Sequence, residues 1–381
     1  MRVVHVVRAF HPAVGGLEGA VLSLARHQLA RQGIGASVVT LDRLFSRPGE
    51  ALPHRDHVDG VRVTRLPWRG STRYPLAPSV LSHLADADIV HVHAIDFFFD
   101  FLALAKPLHR RTLVASTHGG FFHTAFAQRL KTAYFNTVTR TSAMAYAAIV
   151  ACSQSDAASF ERIAPNNLVT IENGVDLGKF AGRSAARHTR RIIYFGRFAS
   201  HKRIEALFDL LRRLLATDPG WQLVVAGGAA DVSVATLKAA AADLGPAVRF
   251  VIDPSEAALA EAIGTASYYA CASSHEGFGL AAVEALSAGL VPVLSDIPPF
   301  ARLQKKAGVG MLFDPADIPQ AAARLVALDD ALATAGPQER QRAMAASAAY
   351  DWDTAADAYL SVYRTALAPR RRTEIAASNE G

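Results

Sequence analysis

Short apolar runs rich in β-branched residues alternate with longer segments of helical periodicity along most of the chain. The runs form two series of five: 3–7, 37–41, 88–93, 112–117 and 148–153, then 191–196, 221–228, 248–253, 268–273 and 291–296. This alternation is typical of parallel sheets that are covered by helices on both faces. The sequence therefore predicts an α/β protein in which the same architecture occurs twice.

The boundary between the two series is predicted in a polar segment that has no apolar periodicity. A last helix is predicted near the C-terminus, where an apolar stripe includes Tyr359 and Tyr363. The predicted N-terminal domain, linker, C-terminal domain, final helix and tail are 1–180, 181–190, 191–350, 351–368 and 369–381. Open parallel sheets bind ligands at the carboxyl ends of their strands, so a cleft between the domains is the expected site.

Composition places the chain among globular proteins, because 51% of its 381 residues are hydrophobic and 19% are charged. Disordered, collagen-like and coiled-coil proteins are thereby excluded. Cys152 and Cys271 both lie in apolar, strand-like runs, so we expect buried, reduced thiols in a cytoplasmic protein rather than a disulfide scaffold. No apolar stretch approaches the roughly 20 residues that span a bilayer, so any membrane contact is expected to be peripheral.

Positive charge is concentrated in the first part of the chain. Residues 1–145 hold 17 basic and 9 acidic side chains, together with 11 of the 14 histidines, whereas the remainder holds 23 basic and 25 acidic side chains. Such a field attracts an anionic surface or an anionic substrate, unless it is simply a solvated basic surface. Nucleic acid is not the expected partner, because no basic cluster with interleaved stacking aromatics is present.

The segment 274–284, with the sequence SHEGFGLAAVE, carries the most informative motif. A predicted strand leads into a glycine loop that opens a helix, and the amides at a helix N-terminus suit a phosphate. Glu276 and Glu284 flank this anion site. Two carboxylates beside a phosphate are unfavourable unless they accept hydrogen bonds, and sugar hydroxyls are suitable donors. The motif therefore favours a ligand that carries both phosphate and sugar.

Two alternatives remain for the same loop. Gly277-x-Gly279-x-x-Ala282 also matches a loose dinucleotide fingerprint, with Asp296 at the end of the next predicted strand. However, the first glycine does not follow its strand directly, and a dinucleotide leaves the two glutamates unexplained. The other alternative is that the glycines serve turn geometry alone.

A basic loop follows the first predicted strand of the C-terminal domain, in the sequence GRFASHK at 196–202. Arg197 supplies a planar guanidinium that can donate two parallel hydrogen bonds, and Lys202 supplies a compact ammonium group. Together these two cations suit a diphosphate. The alternative is a pair of solvated cations. The glycine and glutamate segment of the same domain favours the diphosphate.

Two features of the N-terminal domain lie at predicted ligand-facing positions. Gly15 and Gly16 follow the first strand and let the backbone approach a ligand closely, or else form a mobile loop tip. His118 closes a strand and is followed by two glycines, which favours a site residue over a structural histidine. His91 and His93 alternate along one strand and face the same side, and we interpret them as core residues or supports of the site.

Asp-x-Asp pairs are a common way to hold a divalent ion in nucleotide-sugar enzymes. Asp86 and Asp88 match this pattern but precede their strand, at the wrong end of the sheet. Asp351 and Asp353 lead into the last helix, where carboxylates complement the helix dipole. Neither pair is predicted to bind a metal.

These motifs, taken in order with NGVD at 173–176, resemble those of the retaining family 4 glycosyltransferases of GT-B fold over nearly the whole chain. The resemblance implies two Rossmann-like domains that face a central cleft, with the last helix crossing back to the N-terminal domain. It also implies a nucleotide-sugar donor held mostly by the C-terminal domain, with no metal ion and no other cofactor.

The resemblance also assigns roles to residues. The implied donor-binding residues are Gly16, Asn173, Arg197, Lys202, Glu276, Phe278, Gly279, Leu280 and Glu284. The implied acceptor-binding residues are Gly15, Arg73, Tyr74 and His118. The implied catalytic residues are His118, Arg197, Lys202 and Glu276. In this scheme Arg197 and Lys202 bind the diphosphate, and Glu284 holds the ribose hydroxyls.

Stretches such as RGSTRYPLAPSVL and HAIDFFFDFLALAKPLHRR are similar to the α-mannosyltransferases of xanthan and acetan assembly. This likeness implies transfer of mannose from GDP-mannose to a cellobiosyl-diphosphopolyprenol lipid, with an α-1,3 linkage, at the cytoplasmic face of the bacterial inner membrane. Residues 121–145 are expected to form either an interfacial helix or a helix packed on the sheet. Arg203 departs from the family pattern, in which a glycine usually follows the lysine.

Retention of configuration is expected, with the cations and the helix terminus stabilising the departing GDP. The resemblance suggests front-face attack, and a double displacement through Glu276 stays open. Three further alternatives remain: a family 4 enzyme with another donor or acceptor, an NAD-dependent oxidoreductase, and a non-catalytic carbohydrate-binding protein.

Overall fold

The structure is a computed structural model that describes residues 1–13, 15–45, 47–72, 74–118 and 132–368. The chain forms two compact units. The first comprises Met1–Gly174 and the segment that begins at Trp352, and the second comprises Val175–Asp351.

The first unit is built on an eight-stranded sheet. Its strands, with two small hairpins, are β1 Arg2–Val6, β2 Gly35–Leu41, β3 Arg43–Leu44, β4 Arg47–Ala51, β5 Arg55–Val58, β6 Val61–Leu66, β7 Arg69–Ser71, β8 Tyr74–Leu76, β9 Ile89–His93, β10 Thr112–Ser116, β11 Ala148–Ala151 and β12 Leu168–Thr170. The sheet order is β12-β11-β10-β9-β1-β2-β6-β5, and only the edge strand β5 is antiparallel to its neighbour. β3 pairs with β4, and β7 pairs with β8.

Helices follow the strands of this sheet. They are α1 Gly16–Leu29, α2 Phe97–Leu104, α3 Lys106–His109, α4 Arg140–Ala143 and α5 Gln154–Phe160, with a π-helical turn at Phe135–Thr139. Side-chain caps fix two of the starts, because Asp96 accepts from the amide of Phe98 and Ser153 accepts from that of Asp156. These caps place the helix N-termini at the carboxyl ends of β9 and β11.

The second unit repeats the architecture with a wholly parallel sheet. Its elements are β13 Arg191–Phe195, α6 Ile204–Leu215, β14 Gln222–Gly227, α7 Val234–Ala240, β15 Val248–Ile252, α8 Glu256–Ile263, β16 Tyr268–Cys271, α9 Leu280–Ala288, β17 Val291–Ser295, α10 Pro298–Ala307, β18 Met311–Phe313 and α11 Ile318–Ser347. The sheet order is β15-β14-β13-β16-β17-β18. All ten predicted runs are strands, so the α/β prediction with two parallel sheets is confirmed.

The last helix, α12 Trp352–Leu367, belongs to the first unit although it follows the second in sequence. Its apolar stripe, including Tyr359 and Tyr363, packs with β-strand residues such as Val3 and Val114 in one buried cluster. The start of this helix packs closely on the end of the segment Met1–Gly174, because a Cβ on Gly174 would lie 2.5 Å from the ring of Trp352. The predicted return of the last helix to the N-terminal domain is therefore present.

The predicted linker at 181–190 is wrong, because this segment is packed on the second unit. Phe180 is 1% exposed in the core of that unit, and the amides of Gly182 and Ser184 donate to the carbonyls of Ser287 and Ala288. The units divide at 174/175 and 351/352 instead. Backbone hydrogen bonds hold the polar segment in place, and these leave no trace in its side-chain pattern.

Both cysteines are buried and free, as predicted. In the described part of the chain, we find no helix that combines the length and the apolar composition required to cross a membrane.

Candidate active site

The loop with the sequence GRFASHK follows β13 at the carboxyl edge of the second sheet. Gly196 opens it with φ 151°, and Arg197 is exposed. Lys202 closes the short 3₁₀ turn Ser200–Lys202, and its side chain is only 17% exposed. The loop therefore presents one cation to solvent and holds the other inside the unit.

Glu276 is the partner of that buried cation. It follows β16, the neighbour of β13, and its Oε1 lies 2.5 Å from Nζ of Lys202. The same Oε1 accepts a 2.7 Å hydrogen bond from the hydroxyl of Ser273. The carboxylate is thus held in one orientation by two donors, and the Glu276 side chain is 12% exposed. The structure brings together two predicted site residues that are 74 positions apart in the sequence.

The glycine loop after β16 opens α9 in a left-handed conformation. Gly279 has φ 87°, and a Cβ there would lie 2.7 Å from the ring of Phe300. The helix begins at Leu280, so its first amides have no carbonyl partner within the helix. Phe278 packs its ring against Tyr350, 5.5 Å between centroids, which leaves its backbone rather than its side chain for a ligand. This geometry suits an anion at the helix N-terminus.

Glu284 lies one turn inside α9 in a different electrostatic environment. Burial raises the pKa of its carboxyl, while the nearby amine of Lys179 lowers it. The neighbours that influence Glu284 are Lys179, Asp176 and Glu256, not the Lys202 pair. The two glutamates of the motif therefore have separate surroundings within the unit, consistent with separate roles.

Arg203, which departs from the family pattern, has a left-handed backbone with φ 49°. Only glycine adopts this conformation without strain, which explains why a glycine suits the position. Arg203 also lines a cavity of about 320 Å³ with Ser273, Asp296 and Asp314, at the carboxyl ends of three strands. This cavity could not be predicted from the sequence, because its lining comes from loops that are far apart in the chain.

His118 follows β10 in the first unit, and its backbone is left-handed with φ 50°. Its Nε2 lies 2.9 Å from Nδ1 of His93, and its Nδ1 lies 3.7 Å from Sγ of Cys152. Burial lowers the pKa of His118 to about 4, so its imidazole is neutral at pH 7. His91 and His93 face the same side of β9, as predicted, with ring centroids 4.0 Å apart.

The remaining predicted residues of the first unit have less defined surroundings. Gly15 caps α1 in an extended conformation, and Gly16 is exposed. Within the described part of the chain, no atom beyond its neighbours lies within 4 Å of a Cβ at Gly16. Tyr74 is 40% exposed, with its hydroxyl 3.4 Å from a carboxylate oxygen of Asp100. Asn173 is half-buried next to the end of the unit. Arg73 lies outside the described residues, and so does the part 121–131 of the predicted interfacial helix.

Asp96 is a site candidate that sequence reasoning missed. It lies beyond the carboxyl end of β9, where its Oδ1 caps α2 and its buried Oδ2 has no hydrogen-bond partner among the described residues. Burial raises the pKa of Asp96 to about 7, and nearby Arg8 opposes that shift. An Asp before an apolar run signals a helix start, so the sequence pattern alone indicated only a cap.

Three buried histidines, His5, His91 and His93, bring ring nitrogens within 4.8 Å of one another. Each of their six ring nitrogens already has a hydrogen-bond partner in the protein. A metal would have to break these bonds, so the cluster is better explained as a hydrogen-bonded chain. Of the Asp-x-Asp pairs, Asp86 lies 3.5 Å from Arg2 and Asp353 lies 2.6 Å from Arg31.

The buried histidines predict how stability depends on pH. Burial lowers the pKa of both His5 and His118 from 6.5 to about 4, so between these values the unfolded chain binds protons that the folded chain excludes. Stability therefore falls as the pH drops from 6.5 to 4, by about 3 kcal/mol per histidine at 1.36 kcal/mol per pKa unit. Asp96, with its raised pKa, has the opposite effect over this window, but one carboxyl does not offset several imidazoles.

Urea unfolding followed between pH 7 and 5 measures this effect. We expect the midpoint to fall steadily toward pH 5, and the exposed-histidine control His57→Gln to show the same slope as the wild type. A midpoint that stays constant or rises toward pH 5 contradicts the assignment of neutral buried imidazoles.

Comparisons with known proteins bear on these two units. The family models described as Glycosyltransferase Family 4 and Glycosyl transferases group 1 match residues 14–179 and 181–348. The chain is 49% identical over 369 residues to the GDP-mannose:cellobiosyl-diphosphopolyprenol alpha-mannosyltransferase of Komagataeibacter xylinus, covering 96% of this chain and 94% of that one. The chain belongs to the family 4 glycosyltransferases.

A second relative of this glycosyltransferase is the Xanthomonas campestris protein of the same name. It is 45% identical over 377 residues, which cover 98% of this chain and 99% of that one. Among solved structures, a glycosyltransferase from Rickettsia africae ESF-5 superposes with a TM-score of 0.73 at 14% identity, covering 96% and 98% of the two chains. Anabaena HepE in complex with UDP gives 0.68 at 18% identity, covering 96% and 100%. These likenesses show the GT-B fold.

The family assignment decides between the alternatives for the glycine loop. Residues 277–282 lie within the match to the Glycosyl transferases group 1 model, so the loop belongs to a glycosyltransferase domain and not to a nicotinamide-binding one. The non-catalytic alternative is also excluded, because this glycosyltransferase has close relatives that are named as enzymes.

Proposed function

We propose that this glycosyltransferase transfers an α-mannosyl residue from GDP-mannose to polyprenyl-diphosphate-linked cellobiose, forming an α-1,3 linkage with retention of configuration. The observation that carries the proposal is identity of 45 to 49% over nearly the full length of proteins named for this reaction. The Lys202–Glu276 pair and the helix N-terminus at Leu280 supply the charges that such a donor needs.

Departure of GDP places negative charge on its β-phosphate, and the second unit offers three groups to stabilise it. Lys202 is an ammonium group held in a fixed position, and Arg197 is an exposed guanidinium on the same loop. The first amides of α9 have no carbonyl partner within the helix and are therefore suited to an anion. Preorganised donors of this kind are worth several kcal/mol in a transition state. We propose that they replace a divalent ion, so that catalysis needs no metal.

Glu276 is assigned to orientation rather than to nucleophilic attack. Its Oε1 already accepts hydrogen bonds from Lys202 and Ser273, which lowers its nucleophilicity. The remaining lone pairs of such a carboxylate are suited to accept a hydrogen bond from a hydroxyl of the donor sugar. We therefore favour front-face attack over a double displacement. A double displacement would let a covalent glycosyl-enzyme accumulate with a slow fluorinated donor, and mass spectrometry would detect it. We expect no such adduct.

Donor selectivity tests the proposed function. The protein is incubated with a synthetic cellobiosyl diphosphate polyprenol and a panel of radiolabelled nucleotide sugars, with and without a chelator. We expect labelled lipid from GDP-mannose and unchanged rates with the chelator. Equal labelling from UDP-glucose, or loss of transfer on chelation, contradicts the proposed donor or the proposed metal independence.

We also propose peripheral contact with the cytoplasmic face of the inner membrane through the first unit. Support comes from the positive excess in residues 1–145 and from three exposed apolar side chains, Leu104, Leu108 and Met144, which are 82%, 77% and 80% exposed. Cosedimentation with anionic vesicles that is lost in high salt is the expected result. Equal binding to neutral vesicles, or none to either, contradicts electrostatic docking.

A further inference from the structure

A chain of hydrogen bonds runs from α1 through the C-terminal helix and back to the sheet of the first unit. The amide nitrogen of Gln28 donates to the hydroxyl of Tyr363 over 3.2 Å, and that hydroxyl lies 2.7 Å from Nδ1 of His91. Nε2 of His91 lies 2.8 Å from Oγ of Ser116, which lies 3.0 Å from the hydroxyl of Tyr359. Thus two tyrosines of α12 are linked to histidine and serine side chains of neighbouring strands.

The chain continues from Tyr359 and returns to its starting point through four more side chains. The hydroxyl of Tyr359 lies 3.8 Å from Sγ of Cys152, which lies 3.7 Å from Nδ1 of His118. Nε2 of His118 lies 2.9 Å from Nδ1 of His93, and Nε2 of His93 lies 2.9 Å from Nδ1 of His5. Nε2 of His5 lies 2.9 Å from the amide oxygen of Gln28. The hydrogen bonds therefore form a closed ring, which we call the His118 ring.

When every imidazole is neutral, the His118 ring has as many donated protons as it has hydrogen-bond contacts. The ring has nine contacts and nine groups that each bring one proton to it. The amide oxygen of Gln28 can only accept, so His5 must donate to it through Nε2. Following the ring from there, each group donates to the next in one direction. His118 must then carry its proton on Nε2, and its Nδ1 must accept from the thiol of Cys152.

The surroundings of the ring support neutral imidazoles. His5, His91 and His93 are at most 1% exposed, and burial lowers the pKa of each. Among the described residues, the charged groups outside the ring that influence the pKa of His118 are Asp156 of α5 and Glu18 of α1. Both favour the imidazolium, yet burial outweighs them. Neutrality therefore depends on the buried ring and its hydrogen bonds, not on a lack of nearby carboxylates.

We propose that Gln28, which does not touch His118, is a positioning residue that holds His118 as the neutral Nε2–H imidazole through the His118 ring. Tyr359 and Tyr363 close the ring from α12, so docking of the last helix also orients His118. The kinetic part of this proposal rests on the proposed function, in which His118 acts in transfer. The tautomer itself does not depend on which sugar is transferred.

Replacing the Gln28 amide with a carboxylate should disturb this proton count in a defined way. In Gln28→Glu the new side chain can only accept, so both Tyr363 and His5 must donate to it. The ring then has one proton too few for its nine contacts, and one additional proton taken from solvent completes it. That proton converts one imidazole into an imidazolium, whose charge offsets the buried carboxylate. The variant should therefore place a cation among histidines that are neutral in the wild type.

Nitrogen-15 NMR of the histidine-labelled full chain tests the proposal without substrate. In the wild type we expect His118 to carry one proton, on Nε2, throughout pH 5 to 8, because burial holds its pKa at about 4. In Gln28→Glu we expect one of the four ring imidazoles to carry two protons at pH 7. The exposed neighbour variant Gln32→Glu should leave all four unchanged.

Kinetics then separate positioning from folding. We expect Gln28→Glu to lower kcat by about ten- to a hundredfold, as small misplacements of reacting groups do, with KM for GDP-mannose nearly unchanged. Gln28→Met, which breaks the ring without adding charge, should also lower kcat, and Gln32→Glu should not. If Gln28→Glu does not fold, the wild-type tautomer and Gln28→Met still decide the question. A wild-type His118 protonated on Nδ1, or full kcat in both Gln28 variants, overturns the proposal.

Discussion

Replacing Lys202 by methionine is expected to lower kcat/KM for mannosyl transfer by about a hundred- to a thousandfold, the effect of removing one preorganised donor to a developing charge. The substitution also leaves the carboxylate of Glu276, which is 12% exposed, without its cation. Losing one partner of a buried ion pair costs about 3 to 5 kcal/mol. Activity and stability should therefore fall together in this variant.

A second substitution separates the two effects. Glu276→Gln in the Lys202→Met background removes the unpaired charge, so we expect stability to recover while transfer stays low. Lys238→Met, at an exposed lysine of α7, is the matched control and should behave as the wild type. Thermal unfolding and initial rates on the same preparations are the measurements. A folded Lys202→Met enzyme with near-normal turnover contradicts the donor site.

Replacing Gly227 by alanine is expected to destabilise the second unit by roughly 3 to 5 kcal/mol, since backbone strain and overpacking cost about 1 to 3 kcal/mol each. Gly227 has φ 148°, and a Cβ there would lie 1.9 Å from the carbonyl oxygen of Gly196. Gly196 opens the loop that carries Arg197 and Lys202. The displaced loop should therefore also weaken binding of GDP-mannose.

The control for strain alone is Gly308→Ala. Gly308 caps α10 in the left-handed helical region, with φ 64° and ψ 17°, and no described atom comes within 4 Å of a Cβ at that position. We expect the free energy of unfolding to fall by only about 1 kcal/mol and the donor affinity to stay unchanged, because an alanine in the left-handed region is strained but meets no other atom. Calorimetric titration of both variants with GDP-mannose checks the prediction. Equal effects of the two substitutions contradict the close packing of Gly196 and Gly227.

Much of the fold could be predicted because buried parallel strands have a strong sequence signal. Runs such as 3–7 and 191–196 are mostly apolar and rich in β-branched residues, and each is a strand in the structure. Several of the missed strands are short or lie at edges, where fewer residues are buried. β6 Val61–Leu66 instead lies inside the sheet, and Arg62 and Arg65 interrupt its apolar run. β5 Arg55–Val58 is antiparallel and half-exposed, and β18 Met311–Phe313 has three residues. Neither length nor composition distinguishes such segments from loops.

The sequence was sufficient to identify the charged residues of the donor site, but not their contacts and distances. Arg197, Lys202 and Glu276 stand beside predicted strands, and strand pairing brings the last two into contact. Ser273, which holds Glu276 in place, has no sequence signal of its own. Its role depends on a hydroxyl that lies within 2.7 Å only once β16 is formed.

The His118 ring lay beyond sequence reasoning for a different reason. Gln28 and Tyr363 are 335 positions apart, and in sequence each is an unremarkable member of an amphipathic helix. His91 and His93 could be placed on one face of a strand, but their partners come from three other elements. Closed polar networks depend on tertiary packing, and periodicity within one element does not encode them.

Product analysis is the most direct test of the central claim, which is metal-independent transfer of mannose from GDP-mannose with retention. The full chain is incubated with GDP-mannose and cellobiosyl diphosphate polyprenol in the presence of EDTA, and the released trisaccharide is examined by NMR. The account predicts an α-anomeric mannose linked 1,3 to the cellobiose, formed at the same rate with and without EDTA. A β-linked product, or no product until a divalent ion is restored, contradicts it.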